Sequence, residues 1–181
     1  MLENQLSETV GCHYFGREWR DENHYQWCSA PSVTMNQYAY VVNVEGAVVR
    51  DGTYLLIERA AEEEHAAGML AFPGGKVEQP PGHSAPIEST ARREIDEEVG
   101  VEVGSVEYVH SRTFEAVGTQ CINVVTLCEY EGGEAHARAP DEVAAVHWLS
   151  PEEIRDHDDA PEYLKEDVER IEAYRDESTT Q

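Results

Sequence analysis

The stretch GGKVEQPPGHSAPIESTARREIDEEVGV, residues 74–101, decides how this chain folds. Its second half predicts a helix over residues 86–99, because Pro86 suits the first helical turn and Gly100 suits a left-handed C-terminal cap. On a helical wheel of about 100° per residue, apolar residues recur every four positions and form one stripe. The helix should therefore bury this stripe against a core. The stripe consists of Ile87, Ala91, Ile95 and Val99.

Three glutamates, Glu94, Glu97 and Glu98, line one edge of that stripe, whereas Asp96 projects on the opposite flank. Like charges four residues apart repel each other, and the last turns of a helix disfavour anions. The plain alternative is a solvated acidic face. A hard divalent cation, Mg²⁺ or Mn²⁺, would cancel the repulsion by binding carboxylate oxygens, and Arg93 can hold one glutamate by a bidentate bond. The helix alone therefore leaves two interpretations open, a metal site and a solvated acidic face.

The rest of the chain reads mainly as strands joined by turns. Asp51-Gly52 is a strong hairpin signal, Gly118 and Gly132-Gly133 predict further turns, and Pro73-Gly74-Gly75 should break regular structure. A capping-box pattern at residues 150–153 starts a short helix, and a second helix is expected over about 163–174. Together these elements predict an α/β (α+β) domain. The predicted strands cover residues 38–49, 53–58, 69–72, 103–113, 122–130 and 143–149.

The composition is strongly acidic, with 37 Asp and Glu against 13 Lys and Arg in 181 residues, a formal net charge of -24. Such a surface repels nucleic-acid backbones and anionic lipids, which excludes nucleic acid and membranes as broad partners. Disorder and adaptation to molar salt both explain high charge. The aromatic and β-branched content and the even spread of the acids favour the halophilic interpretation.

The first residues, 1–34, differ from the remainder and are interpreted as an N-terminal extension of a domain spanning residues 35–178. No signal peptide or membrane span is evident, which predicts a cytoplasmic protein. The extension contains residues of the kinds that bind zinc, but their spacing matches no usual zinc site, and ordinary packing is favoured. These residues are Cys12, His13, His24 and Cys28. Cys121 and Cys128, in a predicted strand, are expected to be buried.

The segment REIDEEVGV, residues 93–101, resembles the Nudix-box core Arg-Glu-x-x-Glu-Glu-x-Gly. FPGGKVE at 72–78 and VHWLSPEE at 146–153 also resemble that family, so the resemblance covers about 38–156 with the box at about 74–101. It implies an α/β/α sandwich with a mixed β-sheet between helices. It also implies a magnesium-dependent hydrolase that cleaves the diphosphate bond of a small-molecule nucleoside diphosphate derivative.

The resemblance implies roles for individual residues. Glu94, Glu97 and Glu98, with the main-chain carbonyl of Gly75, would hold the metal, and Arg93 would orient a carboxylate. One box glutamate, or Glu142 from a later loop that is also a candidate metal ligand, would accept the proton of the attacking water. Substrate contacts are expected from Arg59, which could bind a phosphate, and from Phe72, which could stack on a base. Tyr40 and Phe114 are further candidates for stacking, although aromatic residues in strands, Phe72 included, more often belong to the core.

One departure from the family pattern lies between Gly75 and Arg93, where this chain has four extra residues and lacks the usual box glutamate. The loop 79–84 is therefore enlarged and altered, and Glu78 and Glu88 are not matches for the missing residue. This departure motivates an alternative function, a non-catalytic nucleotide-sensing or regulatory module. An isomerase acting on a small diphosphate is less suitable, because no matching Cys and Glu pairing is present. A homodimer remains open.

Overall fold

The computed structural model describes residues 39–61, 66–78 and 84–179, which form a sheet and three helices. The predicted extension 1–34, with its Cys and His residues, lies outside these ranges, as do residues 79–83 of the altered loop. The elements in chain order are β1 (Val41–Arg50), β2 (Thr53–Arg59), β3 (Leu70–Ala71), β4 (Gly74–Lys76), α1 (Pro86–Val99), β5 (Val101–Ala116), β6 (Thr119–Gly133), β7 (Val143–Leu149), α2 (Pro151–Asp156) and α3 (Glu162–Thr179).

The sheet is mixed, as expected. Its main path runs β3-β2-β1-β6-β5, with β4 paired to β1 and β7 paired to β2. Strands β1 and β6 are parallel, with Val44 opposite Val124, and the other paired strands are antiparallel. Two tight turns join hairpins: Asp51-Gly52 and Val117-Gly118 have positive φ at both positions, which is the geometry of a type I′ turn.

Alternate residues of the strands point to opposite faces of the sheet, so each face has its own apolar core, and helices cover both. On one face, Val44, Val48, Leu55 and Ile57 pack with residues of α1. On the other, Ala47, Tyr54 and Leu56 pack with residues of α2 and α3. The predicted stripe of α1 forms part of the first core, in which Ala91, Ile95 and Val99 are fully buried. The domain is therefore the expected α/β/α sandwich.

Helix boundaries follow local signals closely. Helix α1 begins at Pro86 and ends at Val99, and Gly100 adopts the left-handed conformation (φ 70°) with its N–H donating to the carbonyl of Asp96 at 3.0 Å. The predicted capping box is present: Ser150 and Glu153 each accept a hydrogen bond from the main-chain N–H of the other. No helix among the described residues is both long and apolar enough to cross a membrane.

Two predicted breaks in the sheet are wrong. Gly132-Gly133 is not a turn but the end of β6, where Gly133 lies opposite Val101. Gly74-Gly75 does not interrupt the sheet but forms β4 against β1. A side chain at Gly74 would overlap the backbone of Val44, so glycine allows this close approach of the two strands. Strands β5 and β6 and helix α3 are also longer than predicted.

Candidate active site

Helix α1 carries the acidic residues, but it does not present them equally. Glu94 and Glu98 are buried, 9% and 4% exposed, beside the first core. Glu97 lies on the same side, but its side chain is 58% exposed and pairs with Arg93. Asp96 lies on the opposite flank, as predicted, and contacts Arg138. The helix therefore buries two carboxylates one turn apart, an arrangement that costs folding free energy unless something compensates their charge.

Strand β4 lies directly against these two carboxylates. The main-chain N–H of Gly74 donates a hydrogen bond to Oε2 of Glu98 at 3.1 Å. At the next residue, a side chain on Gly75 would overlap the carboxylate of Glu94. The pair of glycines therefore serves both glutamates, supplying a donor to one and the space occupied by the other.

Arg93 holds two glutamates rather than the one predicted. Its Nη2 lies 2.7 Å from Oε1 of Glu94, and its Nη1 lies 3.0 Å from Oε2 of Glu97. Nη2 also donates to the main-chain carbonyl of Lys76 at 3.3 Å, which connects α1 to the end of β4. Because the guanidinium is planar and always charged, it fixes these carboxylates in direction as well as in place.

Burial and mutual repulsion change the acidity of the site. Burial raises the pKa of Glu98 to about 8; the N–H of Gly74 and the charge of Arg59 oppose this rise, and the charges of Glu94 and Glu142 add to it. Burial also raises the pKa of Glu94, with opposition from Arg93 and further contributions from Glu97 and Glu142. In the absence of a cation, the site therefore disfavours the ionised forms of Glu94 and Glu98 more than its own arginines favour them.

These carboxylates line a cleft of about 540 Å³, a size that suits a small-molecule ligand. The cleft brings together every predicted site residue other than the three aromatic candidates Phe72, Tyr40 and Phe114, and Lys76 adds a positive charge to its wall. The predicted residues that line it are Arg59, Gly75, Arg93, Glu94, Glu97, Glu98 and Glu142. Carboxylates therefore face a space that arginine and lysine also reach, which suits an anionic ligand carrying a metal ion.

The carboxylates also fit a hard divalent cation by their chemistry. Buried Glu94 and Glu98 repel each other and Glu142, and such a cation would offset this repulsion. In the described ranges, no three Asp, Glu, His or Cys side chains already converge closely enough to hold a metal ion. Glu97 is directed to Arg93 instead, so its participation would require this ion pair to rearrange.

Phe72 corrects one prediction. Its side chain is only 2% exposed, belongs to the core beneath α2 and α3, and packs its ring 6.0 Å from that of Tyr54. A base cannot stack on a ring that is covered on this scale, so Phe72 is a core residue. Tyr40 and Phe114, by contrast, are 48% and 41% exposed.

Two polar side chains of the cleft, Lys76 and Asn43, were not predicted from the sequence. Lys76 follows the two glycines directly, and its position in the motif was a usable signal. Asn43 enters the cleft because β1 pairs with β4, where it lies opposite Lys76. Its side-chain amide donates to Oδ1 of Asn123 at 2.7 Å. Pairing between strands so far apart in the chain leaves no local signal.

Comparisons with known proteins agree with this geometry. Residues 40–168 match the model of the NUDIX domain. The CTP pyrophosphohydrolase of Escherichia coli (strain K12) is 33% identical over 139 residues, which cover 74% of this chain and 91% of that protein.

Solved structures give the same result. A MutT NUDIX hydrolase from Burkholderia pseudomallei is 27% identical with a TM-score of 0.60, covering 74% of this chain and 98% of that one. A MutT protein from Methanosarcina mazei Go1 is 25% identical with a TM-score of 0.63, covering 75% and 95%. The similarity therefore spans the whole sheet and α1 together with the cleft between them.

Proposed function

The chain belongs to the NUDIX hydrolase family, and from this premise we propose that it cleaves the diphosphate bond of a nucleoside diphosphate derivative in the cleft beside α1, with Mg²⁺ or Mn²⁺. The observation that carries the proposal is the burial of Glu94 and Glu98 against Gly74 and Gly75. Two buried carboxylates at this spacing destabilise the helix, and a function that needs their charge explains why they are present.

Each charged side chain of the cleft has a role in this proposal. Glu94, Glu97 and Glu98, with the carbonyl of Gly75, would hold the metal ion, and Glu142 is a further candidate ligand. When bound, the ion would neutralise charge on the phosphate oxygens and lower the pKa of a water molecule. Arg93 orients the carboxylates of Glu94 and Glu97. Arg59, with Lys76, provides positive charge for the phosphates on the wall of the cleft.

The proton of the attacking water has two candidate acceptors. Glu98 is buried and accepts a hydrogen bond from Gly74 on Oε2. Glu142 lines the same cleft from the loop before β7. A general base must lie within hydrogen-bond reach of the proton that it takes, directly or through one water, and both residues face the same space. Substitution distinguishes the two candidates. Only replacement of the true proton acceptor by glutamine should change the acid limb of the pH–rate profile.

The substrate class follows from charge and from one relative. In a chain of net charge -24, the positive groups lining the cleft are placed for an anion. The Escherichia coli relative is named as a CTP pyrophosphohydrolase. CTP is therefore the first substrate to test, within a panel that includes the other nucleoside triphosphates and sugar and dinucleotide diphosphates.

The experiment measures phosphate and diphosphate release from that panel, with Mg²⁺ and molar KCl, for the wild type and Glu98→Gln. We expect the substitution to reduce kcat by about a hundredfold or more, as for loss of an acid–base or charge-stabilising group. Glu169→Gln, an exposed glutamate on α3, is the matched control and should keep wild-type activity.

Two results would reject the proposal. Equal rates for wild type and Glu98→Gln on a hydrolysed substrate would remove Glu98 from the mechanism. Tight nucleotide binding by the wild type, with no product at any metal concentration, would instead support the non-catalytic sensing module that the altered loop motivates.

A further inference from the structure

The loop that carries Glu142 is bound to the C-terminal end of α1. The main-chain N–H of His136 donates to the carbonyl of Val99 at 3.1 Å, and that of Arg138 donates to the carbonyl of Glu98 at 2.9 Å. Carbonyl groups in the last turn of a helix have no partner within the helix, so a segment that supplies donors to them is held firmly. The segment 136–138 therefore forms a cap on the helix that bears the buried glutamates.

The side chain of Arg138 completes this cap. Its Nη1 donates to the main-chain carbonyl of Asp96 at 2.9 Å and to Oδ1 of the same residue at 2.7 Å. Helix α1 has no basic residue in its own last turn. Arg138 thus brings from a separate loop the positive charge that favours the negative end of a helix.

The other end of the loop places Glu142 in the cleft. The N–H groups of Glu142 and Val143 both donate to the carbonyl of Ala139, at 2.9 and 2.8 Å. The carbonyl of Glu142 accepts from the N–H of Ala60 at 2.9 Å. Ala139 and Glu142 line the cleft, four residues or fewer from Arg138. Loss of the contacts of Arg138 should therefore affect the position of Glu142, because only three residues separate the two.

Electrostatic repulsion opposes this placement. The carboxylate of Glu142 repels those of Glu94 and Glu98. A loop that brings a third acid to two buried ones needs an attachment that resists this repulsion. The contact of Arg138 with Asp96 provides it on the far flank of α1, away from the acids of the cleft.

We propose that Arg138 is a positioning residue that, through Asp96, holds Glu142 in the cleft of the enzyme. The inference rests on the proposed function, because Glu142 matters only if the cleft hydrolyses substrate. It assigns a purpose to Asp96, which lies among Glu94, Glu97 and Glu98 in the sequence but, unlike them, does not line the cleft. A purely structural role predicts a small loss of stability and an effect on kcat that does not depend on Glu142. The loss would be small because Arg138 and Asp96 are 46% and 56% exposed, and exposed ion pairs contribute little to stability.

The test compares Arg138→Ala and Arg138→Lys with Arg155→Ala, which removes an exposed arginine of α2. The first measurement is hydrogen exchange, by mass spectrometry, of peptides covering residues 134–142 in the protein without substrate. Arg138→Ala should exchange these amides about threefold to fivefold faster than wild type, because the protecting contacts open more often. Arg138→Lys keeps a donor and a charge and should restore most of the protection, and Arg155→Ala should match wild type.

The second measurement is kcat and KM for the best substrate, in wild-type and Glu142→Gln backgrounds. Arg138→Ala should lower kcat by about tenfold with little change in KM, as for a misplaced acid–base group. It should have almost no further effect once Glu142 is an amide. Equal reductions of kcat in both backgrounds, or unchanged exchange in Arg138→Ala, would overturn the inference. If the wild type hydrolyses nothing, the proposed function fails, and the exchange result still decides whether Arg138 holds the loop.

Discussion

The main-chain N–H of Gly74 donates a hydrogen bond to Oε2 of Glu98 at 3.1 Å, joining the short strand β4 to the last turn of α1. This bond explains how a glutamate that is 4% exposed keeps a fixed direction. A buried carboxyl oxygen that accepts an N–H bond is not left without a partner, so the bond recovers part of the cost of burial. The strand and the helix are therefore coupled, and a substitution in β4 should change the position of the glutamates on α1.

The two glycines of β4 should respond differently to substitution by alanine. Gly75→Ala places a methyl group on the carboxylate of Glu94, whose side chain can move away. We expect activity to fall by about tenfold to a hundredfold, as for a catalytic group displaced by roughly an ångström, with a small change in melting temperature. Gly74→Ala meets the backbone of Val44, which cannot move, and should cost about 1–3 kcal/mol of stability.

Gly132→Ala provides the control for these two variants. Its new methyl group would find no other atom closer than 4.0 Å, and it lies at the end of β6. Activity assays and urea denaturation of the three variants separate the effects. Comparable loss of activity in Gly132→Ala and Gly75→Ala would contradict the role given to Gly75.

The metal-free protein should lose stability as pH rises, because of Glu98. Burial raises the pKa of Glu98 from 4.5 to about 8, so the folded state keeps the proton that the unfolded state has released. Stability therefore falls between about pH 5 and pH 8, with each pKa unit worth about 1.4 kcal/mol. The melting temperature in EDTA should fall over this range more steeply for wild type than for Glu98→Gln.

Other acids make this comparison between two proteins necessary. Burial raises the pKa of Asp167 to about 6, so the melting temperatures of wild type and of Glu98→Gln both fall as pH rises through this range. Only the difference between the two plots of melting temperature against pH is caused by Glu98. Parallel plots would show that Glu98 is already ionised in the folded protein. Addition of Mg²⁺ at pH 8 should stabilise wild type more than the variant.

Helix α3 should depend on the buried carboxylate of Asp167. This side chain is 2% exposed and pairs with Arg112, and Nε2 of His110 lies 2.9 Å from its other oxygen. Asp167→Ala removes the nearer of two negative partners from the partly buried Arg112, whose other partner, Glu45, lies 3.7 Å away, and this should cost about 3 kcal/mol. Urea denaturation measures the loss. Glu166→Ala, the exposed neighbour, should stay within about 0.5 kcal/mol of wild type, and equal losses in the two variants would contradict the assignment.

Molar salt should stabilise the protein if its acidity is an adaptation to a salty cell. With 37 acidic residues against 13 basic ones, the folded surface repels itself at low ionic strength. At 1 M salt the screening length falls to about 3 Å, and the repulsion largely disappears. The melting temperature should rise clearly between dilute buffer and molar KCl. An unchanged melting temperature would remove the halophilic interpretation without affecting the proposed reaction.

Local signals predicted α1 almost to the residue, and with it most of the site. Pro86 and Gly100 set its ends, and the spacing of its apolar residues set the direction of Glu94 and Glu98. Each of these signals acts within one or two turns of the same segment, so the sequence alone reveals them. The turns at Asp51-Gly52 and Val117-Gly118 are equally local.

The features that sequence reasoning missed depend on contacts between distant segments. Strand β4 exists because β1 lies beside it, and the glycines that suggested a break are what allow the pairing. Phe72, at the end of a predicted strand, suits either base stacking or core packing in the sequence, and only the cover of α2 and α3 decides between them. Arg138 reaches Asp96 over a separation of 42 residues. None of these contacts leaves a periodic pattern in the chain.

The proposed role of the acids of α1 in the cleft is to bind a divalent cation. Crystals soaked in Mn²⁺ with a diphosphate substrate analogue test it directly, through the anomalous scattering of manganese. We expect a strong anomalous peak among the carboxylates of Glu94, Glu97 and Glu98, and a greatly reduced peak in Glu98→Gln. A diphosphate bound in the cleft with no anomalous peak beside these glutamates would contradict it.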